Sequence, residues 1–210
     1  MNYFEVLVWP GGGAIGIILW LMSIATVAII VQYFFAIRRD SIVPDIFRQN
    51  AAQLIEAGKY QDVIDLAARE VSFLGQIVKA GLAEAKKGYP AMERAMEQAA
   101  DQSTTKLLRH IEWLNLVGNI SPMLGLLGTV WGMINAFFNI VAAGGGTPSP
   151  GQLAGSIGIA LVTTLLGLAI AIPALAVYSI MKSRIDALTT EAMVVGQRFL
   201  AGFVPPKTKP

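Results

Sequence analysis

The sequence predicts an all-α integral membrane protein with three transmembrane helices and a helical cytoplasmic domain between the first and the second. Of its 210 residues, 54% are hydrophobic and 14% are charged, and the mean hydropathy is +0.57. This composition is too apolar for a typical soluble domain. The residues between Glu112 and Lys182 include no Asp, Glu, Lys, Arg or His. Because backbone groups in lipid need internal hydrogen-bond partners, such a run is expected to be helical.

The chain begins with a short segment, residues 1–13, that suits the membrane interface. It has one acidic residue, Glu5, no basic residue, and three aromatic rings of the kind enriched at the headgroup boundary. A cleaved signal peptide normally starts with basic residues, so we expect this segment to be retained. Residues 14–37 are uncharged and exceed the roughly 20 residues that cross a bilayer. They are predicted to form transmembrane helix 1, which Arg38 and Arg39 end.

Residues 38–112 differ sharply from their surroundings, with 11 basic and 11 acidic residues. Amphipathic helical spacing and turn residues predict a small helical domain. Its predicted boundaries are a helix start near Pro44, an end at Gly58, helices over residues 60–70 and 72–87, and a new start at Pro90. From Ala91 the helical pattern continues without a proline into the charge-free region. The second transmembrane helix is therefore predicted to extend into the cytoplasm, and the third is likewise predicted to be long and to extend there.

Two further spans are predicted over residues 113–143 and 155–181, joined by a periplasmic loop at 144–154 that is rich in glycine and proline. Each span has small or hydroxylated residues at intervals of three and four, which place them on one helix face. These are Gly125, Gly128, Thr129 and Gly132 in one span, and Ala160, Thr164, Gly167 and Ala171 in the other. The stripes either pack helices together or line a cavity with Thr129 and Thr164 as its polar points. Pro122 and Pro173 are predicted to bend their helices.

The remaining residues, 182–210, predict a cytoplasmic amphipathic helix followed by a disordered tail. All 16 Lys and Arg residues lie in residues 38–109 or from Lys182 onwards. The positive-inside rule then predicts that the N-terminus is outside and the C-terminus is in the cytoplasm. Because residues 113–181 contain no Lys or Arg, they are predicted to lie within the membrane or on its outer side.

The composition argues against most catalytic chemistry. The chain has no cysteine and one histidine, which excludes disulfides and thiolate ligands and disfavours a zinc site. We expect no catalytic residues, no metal and no cofactor, and scattered basic residues predict no nucleic-acid partner. The three spans also contain no acidic or basic side chain. If protons cross here, the titratable group must come from another polypeptide.

Two motifs resemble the paired signature of the MotA/TolQ/ExbB proton channel family, in particular its ExbB/TolQ-like branch. They are GLLGTVWGMINAF at residues 125–137 and ALVTTLLGLAIAIPALAVY at residues 160–178. The resemblance implies an inner-membrane homo-pentamer around an ExbD/TolR-like single-span partner that supplies a membrane aspartate. Thr129 and Thr164 match the family's pore threonines, and Thr163 is assigned with them to the proton pathway. ExbB-like sequences often have a glutamate five residues before the second threonine, where this chain has Ile159.

The resemblance further implies a motor driven by the proton-motive force, which works on the cell envelope or on outer-membrane transport through a TonB- or TolA-like protein. The small residues Gly125, Gly128, Gly132, Ala160, Gly167 and Ala171 would then pack around the partner's helix. Two alternatives remain open: a non-conducting oligomeric scaffold in the lipid bilayer, and a flagellar-stator-like subunit of the MotA type. Sodium in place of protons also remains open.

Overall fold

The computed structural model describes residues 14–142 and 150–203. All regular secondary structure in these ranges is helical, which confirms the predicted all-α fold. The helices are α1 (Ala14–Ala36), α2 (Arg39–Ile42), α3 (Asp45–Glu56), α4 (Tyr60–Arg69), α5 (Phe73–Ala83), α6 (Tyr89–Ala142) and α7 (Pro150–Ala201), with a 3₁₀ turn at Ala85–Lys87. The predicted interfacial segment 1–13 and the residues of the predicted disordered tail from 204 onwards lie outside the described ranges.

Among the described residues, three helices are long and apolar enough to cross a membrane, as predicted: α1, α6 and α7. Their most apolar windows have mean hydropathies of 2.6, 1.4 and 2.3. At 54 and 52 residues, α6 and α7 are far longer than one bilayer crossing needs. Helix α7 begins at Pro150, a residue type suited to a first helical position, so it includes part of the range predicted as loop. Both helices continue through Pro122 and Pro173, and bends at these prolines stay predictions.

The described residues form two compact units. The first consists of residues 14–32, 112–142 and 150–179. Within it, Leu19 and Thr26 of α1 are buried on one helix face, whereas Leu21, Ile24 and Val27 are more than half exposed. The Thr26 hydroxyl donates to the Met22 carbonyl at 2.6 Å, which satisfies this polar group within its own helix. The outer face of α1 is therefore apolar and suited to lipid.

The second unit consists of residues 33–111 and 180–203. Most of its short helices begin and end near the residues that the sequence predicts: α3 follows Pro44, and Gly58 after it has a φ of +70° that favours glycine. The helix predicted over residues 72–87 instead ends at Ala83 and is followed by a 3₁₀ turn at Ala85–Lys87. Helix α5 is capped by Ser72, whose hydroxyl accepts from the Gly75 amide at 3.2 Å. The unit's fully buried large side chains include Phe47, Leu74, Ile77, Met96, Ile185 and Leu200.

An ion-pair cluster joins α2, α3 and α7 within this second unit. The Arg39 guanidinium contacts a carboxylate oxygen of Asp45 at 3.1 Å and one of Glu191 at 2.7 Å. The hydrogen bond to Glu191, followed by the negative charge of Asp45, raises the pKa of Arg39. Because the guanidinium is already charged throughout the working pH range, this shift only reinforces a permanent cation. The cluster is solvent-exposed and fixes geometry more than it adds stability.

Candidate functional site

Helices α6 and α7 approach most closely along the two predicted small-residue stripes. The space where a side chain would begin at Gly167 is occupied by the Ser121 carbonyl oxygen, which lies 2.5 Å from an ideal Cβ. At Gly125 the equivalent position lies 2.9 Å from the carbonyl oxygen of Thr163. A Cβ at Gly128 would overlap the Thr163 hydroxyl. These glycines therefore let the two backbones meet, as small residues do between membrane helices.

The same contact continues towards residue 142 of α6 and the start of α7. An ideal Cβ at Gly132 would lie 2.9 Å from the Cβ of Ala160. Ala160 and Ala171 are each only 2% exposed. All six predicted packing residues thus lie in sterically restricted or buried positions, and the glycines contact the opposite helix of their own chain. Contact between these residues and a partner's helix stays a prediction.

Three threonines lie beside this contact, and two of them converge on one carbonyl group. The hydroxyls of Thr163 and Thr164 each lie 3.2 Å from the carbonyl oxygen of Gly125. The Thr163 hydroxyl is also 2.7 Å from the Ala160 carbonyl of its own helix. Thr163 is 1% exposed, whereas Thr164 is only partly buried. Thr163 therefore belongs to the helix contact, and Thr164 lies at its edge.

Thr129 lies one helical turn beyond Gly125 and is also partly exposed. Its hydroxyl donates to the Leu126 carbonyl at 2.7 Å. In an α-helix the amide of residue 129 bonds to the carbonyl of residue 125. The hydroxyls of Thr129, Thr163 and Thr164 therefore lie around the same turn of α6 and are called the hydroxyl network, although Thr129 and Thr164 are not bonded to each other directly.

The hydrogen-bond pattern sets what these hydroxyls can offer to a ligand. A threonine hydroxyl has one hydrogen and two acceptor lone pairs. In Thr129 and Thr164 the hydrogen is engaged by a main-chain carbonyl, and the lone pairs remain available. In this arrangement both side chains accept hydrogen bonds from water or from a protonated carboxylic acid. Donation to a carboxylate would require a hydroxyl to rotate away from its carbonyl.

Two members of the contact were not singled out from the sequence. An ideal Cβ at Gly118 would lie 2.5 Å from the Cγ of Leu175. Ser121 is fully buried, and its hydroxyl donates to the Val117 carbonyl at 2.7 Å. Gly118 is seven residues before Gly125 and so lies on the same helix face. Extending the glycine stripe by that period would have found it.

The titratable group nearest to the charge-free spans on α6 is Glu112. Its carboxylate accepts hydrogen bonds from the Tyr178 hydroxyl at 3.3 Å and from the Asn115 amide at 2.7 Å. Asn119 continues this ladder by donating to the Asn115 side chain at 2.8 Å. No group of three potential metal-ligating residues occurs in the described ranges. The residues that carry the hydroxyl network lie within residues 113–181, which contain no acidic or basic side chain.

Comparisons with known proteins identify the family. The model of the MotA/TolQ/ExbB proton channel family matches residues 69–193, more than half of the chain. Similar proteins include the putative biopolymer transport protein ExbB-like 1 of Synechocystis sp., 33% identical over 181 residues, which are 82% of this chain and 68% of that protein. The biopolymer transport protein ExbB of Xanthomonas campestris pv. campestris is 40% identical over 94 residues, 45% of this chain and 36% of that protein.

A TolQ protein of the Tol-Pal system is similar as well. The one from Haemophilus influenzae is 36% identical over 95 residues, 45% of this chain and 41% of that protein. The chain thus spans less than half the length of the Xanthomonas and Haemophilus relatives. The family is a transport and channel family rather than an enzymatic one, and the three apolar helices make the chain a multi-pass membrane protein. On this evidence the chain belongs to the MotA/TolQ/ExbB proton channel family and to its ExbB/TolQ-like branch.

Proposed function

We propose that this chain is the wall subunit of a motor in the bacterial cytoplasmic membrane that the proton-motive force drives. The observation that supports this most is the hydroxyl network of Thr129, Thr163 and Thr164, placed between two membrane-length helices that have no acidic or basic residue in the membrane. Such a wall can hold water and neutral acids, but it cannot relay a proton alone. The titratable group then comes from an ExbD/TolR-like partner with one span and one membrane aspartate.

The hydroxyl geometry suggests how the wall would distinguish two states of that aspartate. Its protonated form donates a hydrogen bond, which the free lone pairs of Thr129 and Thr164 can accept. Its ionised form needs donors, which these hydroxyls provide only by leaving their carbonyls. The neutral acid is therefore favoured beside the threonines and the carboxylate is favoured in water. Protonation on one side and release on the other would bias the position of the partner within the ring.

The membrane potential supplies enough energy for such a bias. Moving one elementary charge through 100 mV releases about 2.3 kcal/mol, before any contribution from a pH difference. A hydrogen bond between neutral groups, such as a protonated acid and a threonine hydroxyl, is worth about 0.5–1.5 kcal/mol. The energy released at 100 mV exceeds this value, so a hydroxyl-dependent preference can be driven in one direction without trapping the partner.

An orientation of the chain in the membrane and its assembly with other copies are also proposed. The confinement of Lys and Arg to residues 38–109 and 182–210 favours a cytoplasmic location for those segments, with the loop after α6 outside. Five copies of the chain would surround the partner's helices, as in the family. The ring and its partner would then transmit work to a TonB- or TolA-like protein in the envelope. Residues 38–112 are a small domain, which favours this role over gripping a flagellar rotor.

Valine substitutions at Thr129 and Thr164 test the role of the hydroxyls, since they keep the side-chain shape and remove the oxygen. The assay is proton flux into proteoliposomes that contain the chain together with its single-span, aspartate-bearing partner. Loss of a hydrogen bond worth about 1–1.5 kcal/mol in the conducting state slows flux about five- to tenfold. Thr26→Val is the matched control, because the Thr26 hydroxyl bonds only to its own helix in α1. Normal flux in both pore variants, with normal assembly, would disprove the role.

The same preparation separates the motor from a structural scaffold. The complex of wild-type chain and partner should conduct protons, and the chain alone should not. A complex that assembles fully but conducts nothing under a membrane potential would show a scaffold. Selective proton conduction by the chain alone would show that no partner acid is needed.

A further inference from the structure

A cavity of about 230 Å³ lies in the second unit, between the end of α1, α2, α5 and α6. Its polar lining consists of Ser41, Gln76, Ser103, Lys106 and His110. The rest of the lining is apolar and no carboxylate contributes to it. A cavity with one permanent cation, several hydroxyl and amide groups and an apolar side is suited to an anionic amphiphile.

The polar groups of the cavity are available to a ligand. Lys106 makes no ion pair among the described residues, although four other ion pairs occur there. The His110 Nδ1 lies 2.6 Å from the Lys106 carbonyl, which can only accept, so Nδ1 carries a hydrogen and Nε2 stays free. Ser103 and Gln76 are at the limit of hydrogen bonding, at 3.5 Å, which leaves the serine hydroxyl weakly engaged.

The cavity lies at the polar edge of the membrane-spanning segments. Ala36, the last residue of α1, forms part of its lining. Lys106 and His110 precede Glu112, the last charged residue before the charge-free run of α6. On both helices the cavity therefore coincides with the change from apolar to charged sequence. Because a membrane span ends where charged residues begin, we expect this part of each helix to lie at the depth of the phospholipid headgroups.

The apolar side of the cavity supports a lipid over a small soluble anion. Val71 lines it and is 82% exposed, so its apolar surface is accessible to a ligand. Ile37 and Leu107 continue this apolar surface from α1 and α6. Covering such a surface with hydrocarbon is favourable, by about 25 cal/mol per Å² removed from water. Inorganic phosphate would leave it exposed.

The walls of the cavity are held in place without a ligand. The Tyr33 hydroxyl at the end of α1 donates to the His110 carbonyl of α6. The Arg38 guanidinium, which follows the cavity residue Ile37, lies 4.9 Å from the centre of the Phe35 ring in a cation–π contact. Gln76 donates to the Val71 carbonyl at 2.8 Å, which fixes the exposed rim. A preformed site loses little conformational freedom when a ligand binds.

We propose that this cavity binds the headgroup of an anionic phospholipid from the adjacent leaflet of the bilayer. The Lys106 ammonium pairs with the phosphate, and the hydroxyls of Ser41 and Ser103 donate to its oxygens. The glycerol and the first acyl carbons lie along Ile37, Val71 and Leu107. The site would tie the second unit to the membrane surface. It does not depend on the proton-channel role of the threonines.

Native mass spectrometry of the full chain, purified and delipidated in detergent, tests this proposal. The chain is titrated with phosphatidylglycerol, with phosphatidylcholine of the same acyl length, and with inorganic phosphate. We expect saturable binding of phosphatidylglycerol and at least tenfold weaker binding of phosphatidylcholine. Lys106→Gln should lower the affinity for phosphatidylglycerol about tenfold, as expected for a charged hydrogen bond. Lys106→Arg should retain most of it, since the charge remains.

Lys86→Gln is the matched control, because Lys86 lies in the 3₁₀ turn, is exposed and is absent from the cavity lining. It removes the same charge and should leave lipid binding unchanged. Ser103→Phe keeps every charge but fills the cavity, and it should also weaken binding. Equal losses in Lys106→Gln and Lys86→Gln would overturn the proposal, as would unchanged binding in Ser103→Phe. Full competition by inorganic phosphate would overturn the assignment to a lipid.

Discussion

Replacing Gly167 with alanine should weaken the α6–α7 contact although alanine is the better helix former. The added Cβ would lie 2.5 Å from the Ser121 carbonyl oxygen and 3.2 Å from the Cα of Gly125. Both are backbone atoms, so no side-chain rotation can relieve the overlap. Ordinary van der Waals contact needs about 3.5 Å or more, so the helices must separate by about 1 Å.

The expected cost follows from two opposing effects. Inserting a methyl group into a well-packed contact costs about 1–3 kcal/mol. Alanine recovers up to about 1 kcal/mol through helix propensity. Gly158 provides a matched control on the same helix, because a Cβ there meets nothing within 4 Å. The Gly167→Ala variant should therefore be about 1–3 kcal/mol less stable than the Gly158→Ala variant, since the control gains the propensity without the overlap.

Thermal unfolding of both variants in the same detergent measures this difference. For a chain of this size, each 1 kcal/mol corresponds to about 2–4 °C in Tm. Gly167→Ala should thus melt about 2–12 °C below Gly158→Ala. If the two variants melt together, or if Gly167→Ala melts higher, the close approach of α6 and α7 at this position is incorrect. The proton-flux assay provides a second measure, because separating the helices also displaces Thr164 from the Gly125 carbonyl.

Three further predictions concern the second unit, measured in the full chain by hydrogen exchange of the α5 amides or by thermal unfolding. Leu74→Ala should lower the free energy of unfolding by about 2–5 kcal/mol and speed hydrogen exchange in α5, because Leu74 is fully buried. Ile46→Ala, at a 77% exposed position, should do neither. Similar exchange rates in the two variants would contradict the core assignment. Ser72→Ala should lower the free energy of unfolding by about 1 kcal/mol and fray the start of α5, because it removes the hydroxyl that accepts from the Gly75 amide. An unchanged hydrogen-exchange rate at the Gly75 amide would argue against this N-cap. Arg39→Gln should lower Tm slightly at low salt and not at high salt, since its ion pairs are exposed; a large loss at high salt would contradict this.

Helix type and length were predictable because they depend on local signals. A charge-free run longer than a bilayer crossing defines a membrane helix whatever it packs against. Pro44 and Gly58 act on their own backbone geometry, so they indicate where α3 begins and ends. The residue at which α7 begins was less predictable. Pro150 favours both a loop and a first helical turn, and the sequence alone does not distinguish them.

The arrangement of side chains around the threonines was only partly predictable. A stripe of small residues can pack two helices together or leave space beside a third. The sequence was therefore compatible with either role for Gly125 and Gly167. In the structure the backbone of each occupies the space beside the other. Thr163 and Thr164 are neighbours in sequence with the same side chain, and only tertiary contact separates the buried one from the exposed one. The cavity at Lys106 draws on three separate segments, residues 36–42, 71–76 and 103–110, which no local pattern connects.

The occupation of the glycine stripe restricts where a guest helix can lie in the proposed motor. Because the glycines of α6 and α7 already contact the opposite helix of the same chain, we expect the guest to contact mainly the partly exposed Thr129 and Thr164. Apolar side chains such as Leu126 and Leu165, which are more than half exposed, would complete this surface. A smooth aliphatic surface offers a moving helix few directional bonds, so it resists rotation weakly. The hydroxyls then provide the main polar contacts whose strength depends on the protonation of the guest. A rigid glycine-packed pair that presents two acceptor hydroxyls on an otherwise apolar wall is thus suited to a helix that turns, whereas a stripe open to the guest would lock it in place.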